Sequence, residues 1–200
     1  MPNKPVLSPE DKLVIKQKLL QLCEDFWIAQ GYKKTSIKAL CSEAKISIGT
    51  FYVLFATKEQ LFLETAQTIQ SRLTERFKET VLQTPNRMGL SKALKKLARE
   101  FDHNPFLYDV NSVDFRAFVT KLSTEEIETI KFESMSFFKE VCQIVNLQPV
   151  IYDATAFGVL STFLSSKKKK KTIEPVCDFF TVFDFMTDKL IGELFVEASG

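Results

Sequence analysis

This sequence predicts an all-α chain in two parts: an N-terminal three-helix head containing a helix-turn-helix, and a larger helical domain behind it, about nine helices in all. Three observations predict it. Apolar residues recur every three to four positions over most of the length, no stretch alternates with the period of a strand, and Ser, Thr, Pro and Gly fall where helices open and close. Two hundred residues, 45% of them apolar, suffice to bury a substantial core.

Ser8, Pro9, Glu10 and Asp11 read as an N-cap, a proline at the first helical position and acids in the first turn, so the first helix opens there. Ile15, Leu19, Leu22 and Phe26 follow at helical spacing, and Gly31 closes the segment. Thr35 or Ser36 caps a short second helix running to about Glu43, and Ser47 caps a third carrying Gly49, Thr50, Phe51 and Tyr52. Two short helices with a tight break between them suggest helix-turn-helix. Thr57 and Gln60 have capping-box spacing ahead of a long fourth helix whose apolar stripe is Phe62, Ala66, Ile69, Leu73, Phe77 and Val81.

The breaks at 85–89 and 102–105 leave a fifth helix over about 91–101, and residues 106–120 read as one irregular or short helix. Ser123 to Glu126 opens a seventh, with Ile127, Ile130, Phe137, Val141 and Ile144 on one face. Residues 150–166 and 174–196 make the last two, separated by the run Lys167 to Lys171, which reads as a solvated loop.

Several function classes find no support in the composition. No apolar run approaches the roughly 20 residues that cross a bilayer. The N-terminus lacks the layout of a signal peptide, so a cytoplasmic protein without membrane partners is expected. Cys23, Cys41, Cys142 and Cys177 are scattered and His103 is the single histidine, so no disulfide framework, metal site or cofactor is expected. Nothing resembles a Ser/His/Asp arrangement or a phosphate-cradling glycine loop, which argues against an enzyme. Net charge is only +2, but residues 1–60 hold nine lysines against six acids, so the excess sits at the N-terminal end, where a phosphate-facing surface would want it.

The stretch from Gly31 to Phe62 carries Gly31-Tyr32, Thr35-Ser36-Ile37, Ala44, Ile46-Ser47, Gly49-Thr50-Phe51-Tyr52, Phe55 and Lys58-Glu59-Gln60-Leu61. In order and spacing it resembles the DNA-binding signature of the tetracycline-repressor (TetR) family, over about the first third of the chain. The physical logic stands beside the resemblance. A helix enters the major groove if its leading edge is small and its rear is anchored. Ile48, Gly49 and Thr50 are that edge, and Phe51 and Phe55, with Leu40 and Phe26, are the anchor. Phosphate contacts are expected from Thr35, Ser36, Ser47, Tyr52 and Lys58, the resemblance assigning Tyr52 and Lys58 the clamp. Two positions depart from the family pattern. Lys45 stands at the turn where glycine is usual, and Leu54 stands where a histidine or aromatic is frequent.

These readings divide the chain into a DNA-binding domain, 1–56, and an effector-binding and dimerisation domain, 57–200. Fourteen of nineteen phenylalanines lie beyond residue 100. Where the resemblance implies an inducer pocket, the lining candidates are Phe101, Phe106, Tyr108, Phe115, Arg116, Phe118, Phe132, Phe137 and Phe157. A small hydrophobic or aromatic ligand would suit them. The last two helices are apolar on more than one face, so Ala154, Gly158, Ser161, Phe180, Phe183, Leu190 and Leu194 are the expected homodimer interface. The sequence thus reads as a ligand-responsive repressor that binds a palindromic DNA operator as a dimer, the alternative being a helical protein-binding module on the same fold.

Overall fold

The structure is a computed structural model that describes residues 7–103 and 112–198. Its helices are α1 (Pro9–Lys34), α2 (Ile37–Ala44), α3 (Ile48–Leu54), α4 (Lys58–Leu82), α5 (Arg87–His103), α6 (Val113–Val119), α7 (Thr124–Ile144), α8 (Asp153–Leu164), α9 (Lys170–Ile173) and α10 (Phe179–Leu194). A 3-10 turn covers Ser165–Lys169, and strands β1 (Leu147–Pro149) and β2 (Phe195–Glu197) pair antiparallel. The described chain is therefore all but entirely helical, as its periodicity predicts.

Most helix starts lie where the sequence places them, for the expected reason. Ser8 and Asp11 form a reciprocal capping box on α1, and Ser123 and Glu126 form another on α7. Ser36, Ser47 and Ser112 each accept a backbone N–H from the first turn of α2, α3 and α6. Gly31 breaks α1 as expected, at φ 81° and ψ 174°, although helical hydrogen bonding resumes for one turn beyond it.

Three expectations need correction. The buried stripe of α1 is Leu19, Cys23 and Trp27, whereas Ile15, Leu22 and Phe26 are only half-buried. Apolar residues stand on several sides of this helix, with Leu13 and Val14 exposed, so spacing alone does not choose the face. The lysine run is helical rather than a loop: it forms the 3-10 turn and the start of α9, and the Lys170 ammonium bonds the Asp102 carboxylate and lies over the Phe180 ring. The β1–β2 ribbon is unforeseen because three residues are too few to display alternation.

Packing divides the chain into two compact units: residues 7–70 with 112–122, and residues 71–103 with 123–198. This partition differs from a functional division at residues 56 and 57. In the first unit, Leu19, Cys23, Trp27, Leu40, Phe51, Phe55, Leu61 and Phe62 are essentially sealed from solvent. Phe62, Phe115 and Phe118 surround the Trp27 ring at centroid distances of 4.8, 6.1 and 5.4 Å. In the second unit, Phe77, Val81, Leu90, Leu94, Phe138, Val141, Ile191 and Phe195 make the main core. Arg99 grips Asp184 through both nitrogens at 3.0 and 2.8 Å, fixing the register of α5 on α10.

Candidate nucleic-acid interface and effector chamber

The helix-turn-helix is built from its anchor outward. Phe51 and Phe55 are buried with ring centroids 5.8 Å apart, and Leu40 is sealed beside them. With its rear so held, α3 turns Ile48 (48% exposed), Gly49 and Tyr52 (54% exposed) to solvent. The Ser47 hydroxyl accepts from the Thr50 backbone N–H at 3.0 Å and shares a hydrogen bond with the Thr50 hydroxyl, also at 3.0 Å. Ser36 stands exposed at the start of α2, where its hydroxyl accepts from the Ala39 N–H.

Two of the expected contact residues point elsewhere. Thr35 is 1% exposed, and its hydroxyl donates to the Gly31 carbonyl at 2.8 Å, closing the end of α1. The Lys58 ammonium donates to the Tyr32 carbonyl at 2.6 Å and lies 4.0 Å from the Tyr32 ring centroid. Burial holds the Lys58 pKa below its ordinary value against the pull of Glu59 and Asp114. Glu59 in turn accepts from the Tyr32 hydroxyl. Burial opposes the Glu59 charge, but that hydrogen bond and Lys58 prevail and keep its carboxyl below the usual range. Tyr32 is displaced upward by burial and by the same carboxylate. Lys58 is thus committed to an internal network.

The chain's return to this unit closes the back of the head. Asp114, on α6, accepts from the Tyr32 and Lys33 backbone N–H groups at 2.6 and 2.9 Å, satisfying donors that the break at Gly31 frees. Glycine is required at residue 31, because a Cβ there would stand 2.6 Å from the Asp114 Oδ2. This role of Asp114 is not legible in the sequence. Its partners are 82 and 81 residues away, and no local signal announces them. Val53, exposed beside Tyr52, is also missed, although its place on the side of α3 away from Phe51 could have revealed it.

An apolar chamber of about 120 Å³ lies in the second unit. Phe137 and Phe157 line it, joined by Phe77, Leu97, Phe138 and Phe195. Phe115, Arg116 and Phe118 do not: they belong to the first unit, with Phe118 buried against Trp27 and Arg116 exposed. Phe132 is 74% exposed, Phe101 is half-buried, and Phe106 and Tyr108 lie outside the described residues. Helical spacing identified apolar faces in this region but not which unit each face joins.

On the expected dimer surface, Ala154, Gly158 and Ser161 are exposed on α8, with open space beyond Gly158. Phe180 and Leu190 are half-buried. Phe183 and Leu194 are core residues of their own unit, Phe183 stacking on Phe163 at 4.5 Å. The apolar residues that α10 does expose are Phe185 (63%) and Met186. Among the described residues, no group of His, Cys, Asp and Glu could hold a metal ion, and no helix is long and apolar enough to cross a membrane.

Residues 23–65 match the family described as bacterial regulatory proteins, tetR family. A comparison with curated protein sequences finds no match. Among solved structures, the chain is similar to a tetR-family transcriptional regulator from Streptomyces coelicolor (TM-score 0.66, 14% identity, 90% of this chain and 78% of that one). It is also similar to the transcriptional regulator FadR from Bacillus subtilis in complex with stearoyl-CoA (0.62, 12%, 89% and 98%). A third is NalD, secondary repressor of the MexAB-OprM multidrug efflux pump in Pseudomonas aeruginosa (0.52, 18%, 92% and 98%). At such identities these likenesses concern the fold, while the matched segment coincides with the helix-turn-helix whose anchored rear and exposed edge are described above. Residues 23–65 are thus similar to the DNA-binding segment of the tetR family, set in a fold similar to that of these solved regulators.

Proposed function

We propose that the chain is a repressor that binds a palindromic operator as a homodimer and is released when a hydrophobic small molecule occupies the second unit. The observation that carries the reading is the contrast across one turn of α3: Phe51 is sealed while Ile48 and Tyr52 stand in solvent. A helix so mounted can present Ile48, Gly49 and Thr50 to base edges, with Ser36, Ser47 and Tyr52 against phosphates. Thr35 and Lys58 then support the head from within. The exposed small residues Ala154, Gly158 and Ser161 on α8, together with exposed Phe185 and Met186 on α10, offer the small and apolar side chains that a two-fold helical interface uses. Two heads about 34 Å apart would meet successive major grooves.

The chamber supports the ligand half of the reading. At about 120 Å³ it is well below the ~300–1,000 Å³ of a pocket for a drug-sized ligand. A larger apolar molecule, of the kind FadR carries as stearoyl-CoA, could enter only if the lining helices part. Such a ligand binds the parted state in preference to the closed one, and that difference in affinity is what couples two sites.

Fluorescence anisotropy on duplexes from beside the chain's own gene tests the DNA half. Binding should weaken with salt, log K falling by about 0.9 per phosphate contact for each decade of salt. Thr50→Ala should reduce discrimination between operator and unrelated DNA by ~1–3 kcal/mol, and Tyr52→Ala should weaken both alike. Absent or salt-insensitive binding would count against the reading. It would favour a protein-binding head instead, for which exposed Ile48, Tyr52 and Val53 form an apolar surface.

A further inference from the structure

Lys45 adopts the left-handed conformation, φ 60° and ψ 42°, at the turn between α2 and α3. Glycine takes this conformation freely; a residue with a Cβ does so against steric resistance. The turn is held from every side. The Lys45 N–H donates to the Ser42 carbonyl at 3.2 Å, the Ile46 N–H donates to the Cys41 carbonyl at 3.0 Å, and the Lys18 ammonium donates to the Ala44 carbonyl at 3.0 Å. Ala44 is buried and Ser47, two residues on, opens α3. With the backbone so committed, the part of Lys45 left to solvent is its side chain, exposed at the entrance to the recognition helix. Strained residues that a structure over-determines cluster at functional sites. Meanwhile Lys58, the cation that the resemblance sets against phosphate, is engaged by Tyr32.

We infer that Lys45 is a phosphate-contact residue of the DNA interface, holding at the helix-turn-helix turn a positive charge that glycine could not supply. The inference rests on the DNA-binding reading above and names a partner group for that same site, the backbone phosphate beside the groove that α3 enters. A phosphate contact carries no sequence information, so its loss weakens specific and non-specific binding together.

The test uses the full-length protein and a fluorescein-labelled duplex of about 30 base pairs with arbitrary sequence, titrated across a range of salt concentrations. Lys45→Gly and Lys45→Asn, both compatible with the left-handed turn, should weaken binding on the order of tenfold. The salt slope should fall by about 0.9 for each copy engaged. Lys45→Arg should restore the slope. Lys45→Gly should at the same time raise the Tm by about 2–4 °C, a gain in stability with a loss of binding that no folding defect produces. Lys12→Met removes the same charge from the exposed first turn of α1 and controls for net charge. Wild-type slope in Lys45→Gly overturns the inference, as does an equal loss in Lys12→Met, or a loss that appears in Lys58→Met and not in Lys45→Gly. A wild-type protein that binds no duplex at any salt refutes the DNA-binding reading itself, and the inference with it.

Discussion

Phe118→Ala should destabilise the first unit by about 3–5 kcal/mol, the usual cost of truncating a sealed phenylalanine. Phe118 comes from α6, 2% exposed, and its ring meets Trp27 at 5.4 Å, Tyr32 at 5.6 Å and Phe62 at 6.0 Å. Nothing polar compensates for the hole, and three rings held by α1 and α4 cannot all collapse into it. Each kcal/mol lowers the Tm of a chain this long by about 2–4 °C, so a fall of roughly 6–20 °C is expected. Because Trp27 is the single tryptophan, urea titration followed by its emission reads this unit directly, and the folded-state emission should move to longer wavelength as water reaches the indole. Phe118→Leu, closer in volume, should cost about 1–1.5 kcal/mol. A loss under 1 kcal/mol in Phe118→Ala with unshifted emission would show that α6 does not pack on Trp27.

Gly31→Ala should cost about 2–4 kcal/mol, from two separable causes. At φ 81° and ψ 174° the backbone lies where a side chain is strained wherever it points. The added methyl would also meet the Asp114 carboxylate at 2.6 to 3.1 Å, and that carboxylate is held by the Tyr32 and Lys33 N–H groups. Asp114→Ala alone should cost about 1.5–3 kcal/mol through the lost charge-assisted hydrogen bonds. In the double variant the methyl has room, so only the backbone strain of Gly31→Ala remains. The two losses should sum to more than the pair costs by about 1 kcal/mol or more, measured by chemical denaturation. Strict additivity would mean that the carboxylate does not abut residue 31.

How much of this was legible follows from the range of each interaction. Caps act over three residues, so Ser8 with Asp11, Ser123 with Glu126, Ser36 and Ser47 could be read directly. The break at Gly31 and the unusual turn at Lys45 were legible for the same reason. The exposed edge of α3 was legible because Phe51 and Phe55 fix the opposite face within one helical turn. Tertiary assignments were not. Spacing marks Phe115 and Phe118 as apolar, yet their partner Trp27 is some ninety residues earlier, so they were grouped with a chamber to which they do not contribute. Lysines 167 to 171 carry the composition of a solvated loop. What makes the run helical includes the Lys170 bond to Asp102, 68 residues away. Thr35 and Lys58 match their motif, but the motif does not specify which way a side chain turns, and here Gly31 and Tyr32 claim them.

The backbone crosses from one packing unit to the other three times, after residues 70, 103 and 122. A fragment ending near residue 70 would carry every residue of the exposed edge of α3 but would leave the indole of Trp27 and the ring of Phe62 open to water, and two amides near Gly31 without their acceptor. The helix-turn-helix is therefore no detachable module that could be transplanted by a single fusion joint. The intervening stretch, 71–103, is joined to the first unit's chain at both of its ends rather than one.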